Sequence, residues 1–177
     1  MKKLLLPFFF VGTIVMMVVM AKTGAPLKTD ATPLGILDLE FAYNTTKTEA
    51  ILKAWDWEST SVPTGSISKI DIAEINTYFD FLFLFFYAGF LFLACKKIAA
   101  KTTGSFSKAG YMIAKGALYA GGLDIIENAG MLLTLSSQGS AATPFTTTVV
   151  SVIKWALAII AVLYVLIGLL ALAFRKN

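Results

Sequence analysis

Residues 110–135 read GYMIAKGALYAGGLDIIENAGMLLTL, and this stretch decides the fold. It is long enough to cross the roughly 30 Å of bilayer hydrocarbon, which takes about 20 helical residues. Yet it carries Asp124, Glu127 and Asn128 in its interior, and the next apolar stretch carries Lys154. A charged side chain at mid-membrane is disfavoured by about 2.5–3.5 kcal/mol on insertion scales, so such groups face a partner, a cavity or a ligand. The i, i+3, i+4 spacing puts the three polar residues on one helix face. Small residues at Gly116, Ala120, Gly121, Gly122, Ala129 and Gly130 allow close helix approach in lipid, which predicts a central place for this helix in a bundle.

Composition agrees with a membrane location. The chain is 57% hydrophobic and 15% charged, against about 45–50% and 25% in soluble domains. Three further stretches have spanning length, giving expected spans at about 4–21, 75–95, 110–135 and 147–174. The expected class is all-α: one membrane domain, a four-helix bundle, with a small extracytoplasmic cap from residues 22–74. The Phe-rich second span, FDFLFLFFYAGFLFL, reads as lipid-facing on most sides. The first span has a rival reading as a cleaved signal. Its apolar run, Leu4–Met20, exceeds the about 7–15 residues of a signal core, which favours a retained anchor.

Basic residues set the orientation. Lys2, Lys3, Lys96, Lys97, Lys101, Lys108, Arg175 and Lys176 all fall on one side with no acid among them, whereas the cap holds five lysines and eight acids. The positive-inside rule then places both termini in the cytoplasm. Lys115 snorkels to the same side. The basic loop reads as a topology signal with contact to membrane lipids. Nucleic acid is not expected, because no aromatic interleaving or fold signature accompanies the charge.

Within the cap, Leu37–Tyr43 alternates apolar and polar and reads as a half-buried strand or an extended interfacial piece. Thr46-Lys47-Thr48-Glu49 fits a capping box. It opens an amphipathic helix over residues 47–58 with Ala50, Ile51, Ala54 and Trp55 on its apolar face. Trp55 and Trp57 suit the membrane interface, and Val62–Ser66 reads as a turn-rich linker. Asn44-Thr45-Thr46 matches a glycosylation sequon.

The chemistry is bounded by what is missing. The chain has no histidine and one cysteine, so it lacks the commonest metal ligand and general base and cannot form an internal disulfide. No metal site and no cofactor is expected. Cys95 reads as a buried thiol, with juxtamembrane palmitoylation as the lesser alternative. Glu127 and Lys154 lie at similar depth on helices joined by a short connection, so they are expected to meet, with Asp124 one turn deeper. Asp80 faces the same place from above, beneath Trp55, with Tyr78, Tyr87 and Trp155 as neighbours. Two carboxylates exceed what one lysine neutralises, and the spare acid must be protonated, hydrated or matched by a ligand. Three roles compete: helix glue, a ligand pocket or polar pathway, and general acid–base chemistry. The last lacks any nucleophile, metal cage or cofactor motif.

The succession LDLEFA, ILKAW, DFLFLFFYAGFLF, LDIIENAGMLL and a lysine in the last span resembles a group of uncharacterised bacterial four-span membrane proteins. The resemblance covers most of the chain from Leu37 onward, and Leu123–Asn128 is its most specific piece. It implies the four-span architecture and a bacterial inner membrane, and it brings no activity with it. The resulting expectation is a non-enzymatic multi-pass protein that binds a small ligand or lipid. Asp124 and Glu127 would hold it, Asn128 would orient it, Lys154 would balance the charge, and Asp80 with Trp55 would form an outer gate. The alternatives are a structural or accessory subunit of a membrane protein complex, a homo-oligomer among them, and a lipid-modifying membrane enzyme.

Overall fold

The structure is a computed structural model that describes residues 4–60 and 67–174, with the side chains of 57–60 left aside. The expected linker at Val62–Ser66, the Trp57 side chain and the terminal charges Lys2, Lys3, Arg175 and Lys176 lie outside the described residues. Within them every regular element is helical. α1 spans Leu5–Gly24 and runs into a single 3₁₀ turn at Ala25–Leu27. α2 spans Ile36–Glu40, α3 Thr45–Thr60, α4 Lys69–Ala99, α5 Gly104–Leu135 and α6 Thr143–Phe174. Three segments are long and apolar enough to cross a membrane: Leu5–Leu27, Lys69–Ala99 and Thr143–Phe174. α5 has the same 32-residue length as α6, but its lysines and its interior Asp124, Glu127 and Asn128 lower its apolarity. The long helices overrun the expected spans, because charged and polar residues that end an apolar run, such as Lys69, Lys96 and Thr143, remain helical.

α4 is the helix on which α1, α5 and α6 all pack; α5 lies between α4 and α6 and also touches α2. The expected centre of the bundle therefore moves from α5 to α4. The Phe run is likewise only partly a lipid surface. Phe8, Phe9 and Phe10 of α1 meet Phe86, Phe85 and Phe90 of α4 at ring-centroid distances of 5.6, 5.3 and 5.2 Å. Gly12 admits the Phe86 ring and Gly89 admits the Phe9 ring, and a Cβ at either would overlap it. Antiparallel order follows from Asn76, near the start of α4, whose amide donates to the Met20 carbonyl and to Thr23 Oγ1 near the end of α1.

α5 buries one stripe of Gly110, Ala114, Ala117, Ala120, Gly121, Asp124, Glu127, Asn128, Met131 and Leu135, a spacing of three and four that is a single helix face. At Gly110 and Gly121 α5 comes close to α4: an added Cβ would lie 2.8 Å from Ala99 Cβ and 2.9 Å from Ala88 Cβ. Two apolar cores result. One, around Leu91, Cys95, Ile98, Ala117, Tyr164 and Val165, fills the bundle toward the basic loop. Cys95 is buried there, its thiol aimed at the Ala161 carbonyl. The other, around Leu27, Leu39, Trp55, Ala73, Met131 and Leu135, joins α2 and α3 to the opposite end of α4 and α5. The polar residues lie between the two.

The half-buried strand or extended piece expected over Leu37–Tyr43 is helical through Glu40, and Phe41–Tyr43 leave the helix in a turn. Gly35 at φ +66° turns the chain, and the Leu34 N–H donates to Asp38 Oδ2 at 2.8 Å, which closes the first turn of α2. Leu39 and Glu40, adjacent in sequence, are both buried, which a strand facing one core cannot do. The start of α3 also differs from the capping box at Thr46–Glu49. Asn44 Oδ1 accepts the Lys47 N–H at 2.8 Å, so asparagine satisfies the exposed helix N-terminus two residues earlier. Thr48, Ile51, Leu52 and Trp55 then turn inward, while Ala50 is exposed.

Candidate functional site

α5 and α6 bring the ionic residues together because both present a polar position at matching height between two apolar cores. Lys154 Nζ donates to Glu127 Oε1 at 2.8 Å and to Asp124 Oδ1 at 3.0 Å. Asp124 Oδ2 accepts the Tyr87 hydroxyl of α4 at 2.7 Å, so both of its oxygens are matched. Also from α4, Asp80 Oδ2 accepts the Asn128 amide at 2.8 Å. Asp124, Glu127, Asn128 and Lys154 are all buried, and Glu127 and Asn128 are fully so. Asp80 is partly buried.

A further carboxylate arrives from the cap. Glu40, the last residue of α2, points its side chain into the bundle, where Oε2 lies 3.7 Å from Lys154 Nζ and accepts the Trp155 indole N–H at 3.2 Å. Its backbone carbonyl accepts the Thr148 hydroxyl at 2.9 Å. α2 is thereby tied to α6 at two heights, and Glu40 is as buried as Lys154. Sequence reasoning missed it, since it sat in a segment taken for an extended cap strand. The available signal was an acid held between Leu39 and Phe41, inside the same LDLEFA run on which the resemblance rests.

The expected residues separate into two places. Asp124, Glu127, Asn128, Lys154 and Asp80 gather in one network, with Tyr87 and Trp155 joined to it as expected. Tyr78 is exposed. Trp55 lies in the apolar core beneath the cap, fully buried, its indole N–H shared between the Leu27 carbonyl at 3.2 Å and Thr32 Oγ1 at 3.1 Å. It thus anchors α3 against the chain that follows α1, with its ring buried rather than exposed. The indole that touches the ionic network is Trp155, through Glu40.

The charge balance of this site is uneven. Three carboxylates converge on one ammonium and Asp80 adds a fourth acid through Asn128. Two buried acceptors, Glu127 Oε2 and Asn128 Oδ1, find no donor among the described residues. Buried acceptors are normally matched, and leaving one unmatched costs about 1–3 kcal/mol. Among the described residues no group of three or more acids or thiols has the geometry of a metal site. The arrangement suits a proton or a small hydrogen-bond donor. Two apolar grooves lie elsewhere on the helices, and none of the network's residues lines them.

Set against protein-family models, curated proteins and solved structures, the chain matches none. Its function has to be argued from this geometry alone.

Proposed function

We propose that the chain is a multi-pass protein of a bacterial inner membrane with α1, α4, α5 and α6 as its four spans. The segment from the end of α1 through α3 forms an outer cap, and both termini are cytoplasmic. In this reading it is a non-enzymatic binding protein whose buried network takes a proton or a small cationic or hydrogen-bond-donating ligand, a lipid headgroup amine included. The carrying observation is the fully buried Glu127 Oε2 without a donor, set among four acids and one lysine. Asp124 and Glu127 hold the donor, Asn128 Oδ1 offers a second acceptor, and Lys154 fixes the carboxylates. Glu40 takes the part of outer gate that Trp55 was expected to share with Asp80, because its bonds to Lys154 and Trp155 cover the network from the cap side.

Native mass spectrometry of the protein, extracted gently from its own membrane, tests this. A defined small adduct, lost in Asp124→Asn and Glu127→Gln, is the expected result. An adduct retained by both variants would overturn the assignment.

A second reading draws on the burial of the same residues. A network filled by its own side chains suits helix glue in a structural or accessory subunit, in which hydrogen bonds across helices fix their contact in lipid. A stoichiometric protein partner without an adduct would favour it. The lipid-modifying enzyme draws no support from either groove, since an opening to the bilayer beside the carboxylates is what it needs.

A further inference from the structure

α1 packs chiefly on α4, and α5 packs on the flank of α4. A groove of about 430 Å³ is left along α4, walled by Leu5 and Phe9 of α1 on one side and Leu118 and Ile125 of α5 on the other. Its floor on α4 runs from Leu84 to Leu93. At 1.5 Å per residue that is about 14 Å, close to the depth of one leaflet, half of about 30 Å.

The groove is not symmetric end to end. At its end toward the α4–α5 loop the floor residues are Phe92 and Leu93, and one turn beyond them stand Lys96 and Lys97, both exposed. Lys96 Nζ lies 4.8 Å from the centroid of the Phe92 ring, so a cation is held directly over the mouth of the apolar channel. An apolar channel one leaflet deep with two ammonium groups at headgroup level matches one kind of occupant: an acyl chain carrying an anionic headgroup.

We propose that this groove is a binding site for an anionic phospholipid, with one acyl chain lying between α1 and α5 and its phosphate on Lys96 and Lys97. The site rests on the four-span topology proposed above but uses none of the buried ionic network, so loss of the ligand reading for Asp124 and Glu127 leaves it untouched.

The test is native mass spectrometry of the full chain, exchanged into mixed vesicles of phosphatidylglycerol and phosphatidylcholine with identical chains. Each lysine near a membrane surface contributes about a five-fold preference for anionic lipid. The wild type is therefore expected to retain one phosphatidylglycerol at about ten-fold or greater preference. Lys96→Ala with Lys97→Ala should bring the preference close to parity. Lys101→Ala with Lys108→Ala removes the same charge from the same side and should leave the preference unchanged. Leu118→Trp with Ile125→Trp fills the groove from its exposed rim and should abolish retention of either lipid. Equal retention of the two lipids by the wild type would overturn the proposal. So would equal losses in the two lysine pairs, or a bound lipid that survives the tryptophan pair. The lysine variants alter only exposed side chains and decide the matter even where the tryptophan variant does not fold.

Discussion

The contact between α5 and α6 and the contact between α1 and α4 solve the same problem by opposite means. In lipid, apolar side chains gain nothing by leaving solvent for each other, so helices associate through close van der Waals fit and interhelical hydrogen bonds. α5 and α6 use Lys154 between Asp124 and Glu127, with donors and acceptors at fixed distances. α1 and α4 use phenylalanine rings seated against Gly12 and Gly89. The first interface depends on charge balance and fails abruptly when one member is lost. The second depends on shape and fails in proportion to the misfit.

The largest expected effect separates the two. Lys154→Ala leaves three carboxylates facing one another, and breaking a buried pair in this way costs about 3–5 kcal/mol. The expected outcome is a large fall in the thermal unfolding midpoint of the detergent-solubilised protein. Replacing the set together, as Asp124→Leu, Glu127→Leu and Lys154→Met, should recover most of that loss, because well-filled apolar substitutes for buried ion sets are often neutral or better. A triple variant no more stable than Lys154→Ala would show that shape governs this interface too.

Next comes Gly12→Leu, which drives a side chain into the space of the Phe86 ring. Overpacking of this kind costs about 1–3 kcal/mol. Hydrogen exchange should show protection lost in α1 and the facing part of α4 and kept in α5 and α6; loss spreading to α6 would break the independence of the two contacts. Phe10→Leu, which removes the pair with Phe90, should cost about 0.5–1.5 kcal/mol beyond lost area, read from the same unfolding curves. The smallest effect is expected for Glu40→Gln. It keeps an acceptor for Trp155 and removes one of several excess negative charges, so the lost 3.7 Å attraction to Lys154 is offset by relieved repulsion and stability should move by less than about 1 kcal/mol, the scale of one net hydrogen bond. A loss as large as that of Lys154→Ala would mean that Glu40, at 3.7 Å, carries as much as the closer carboxylates.

The same contrast explains what could be read from the sequence. Asp124, Glu127, Asn128 and Lys154 were legible because charge in an apolar stretch has few places to go, and helical spacing with a short α5–α6 connection leaves them facing each other. Asp80, Tyr87 and Trp155 followed by depth along their helices. Glu40 did not, because alternation over Leu37–Tyr43 was taken for a strand period. Five helical residues after a positive-φ glycine are too few to reveal a period of their own. The phenylalanines of α4 were legible as apolar and illegible as partners. Hydropathy does not distinguish a ring against lipid from a ring against Gly12, and only the pairing of Phe86 with Gly12 and of Phe9 with Gly89 across the two helices carries that information. Trp55 misled for the reason that tryptophan suits both a membrane interface and a buried indole with its N–H matched.

The ionic network also acts as an index pin. Sliding α6 past α5 by one turn, about 5.4 Å, would break the bridge in which Lys154 Nζ meets both carboxylates together, so these two helices favour a single relative height. Tyr87 and Asp80 extend the same constraint to α4. α1 has no ionic pin of this kind; its height rests on the bonds of Asn76 near its end and on rings seated against Gly12 and Gly89. When a thinner or thicker bilayer demands adjustment, which costs fractions of a kcal/mol per Å of mismatch, α4, α5 and α6 must tilt as one block. The relative motion then falls to α1.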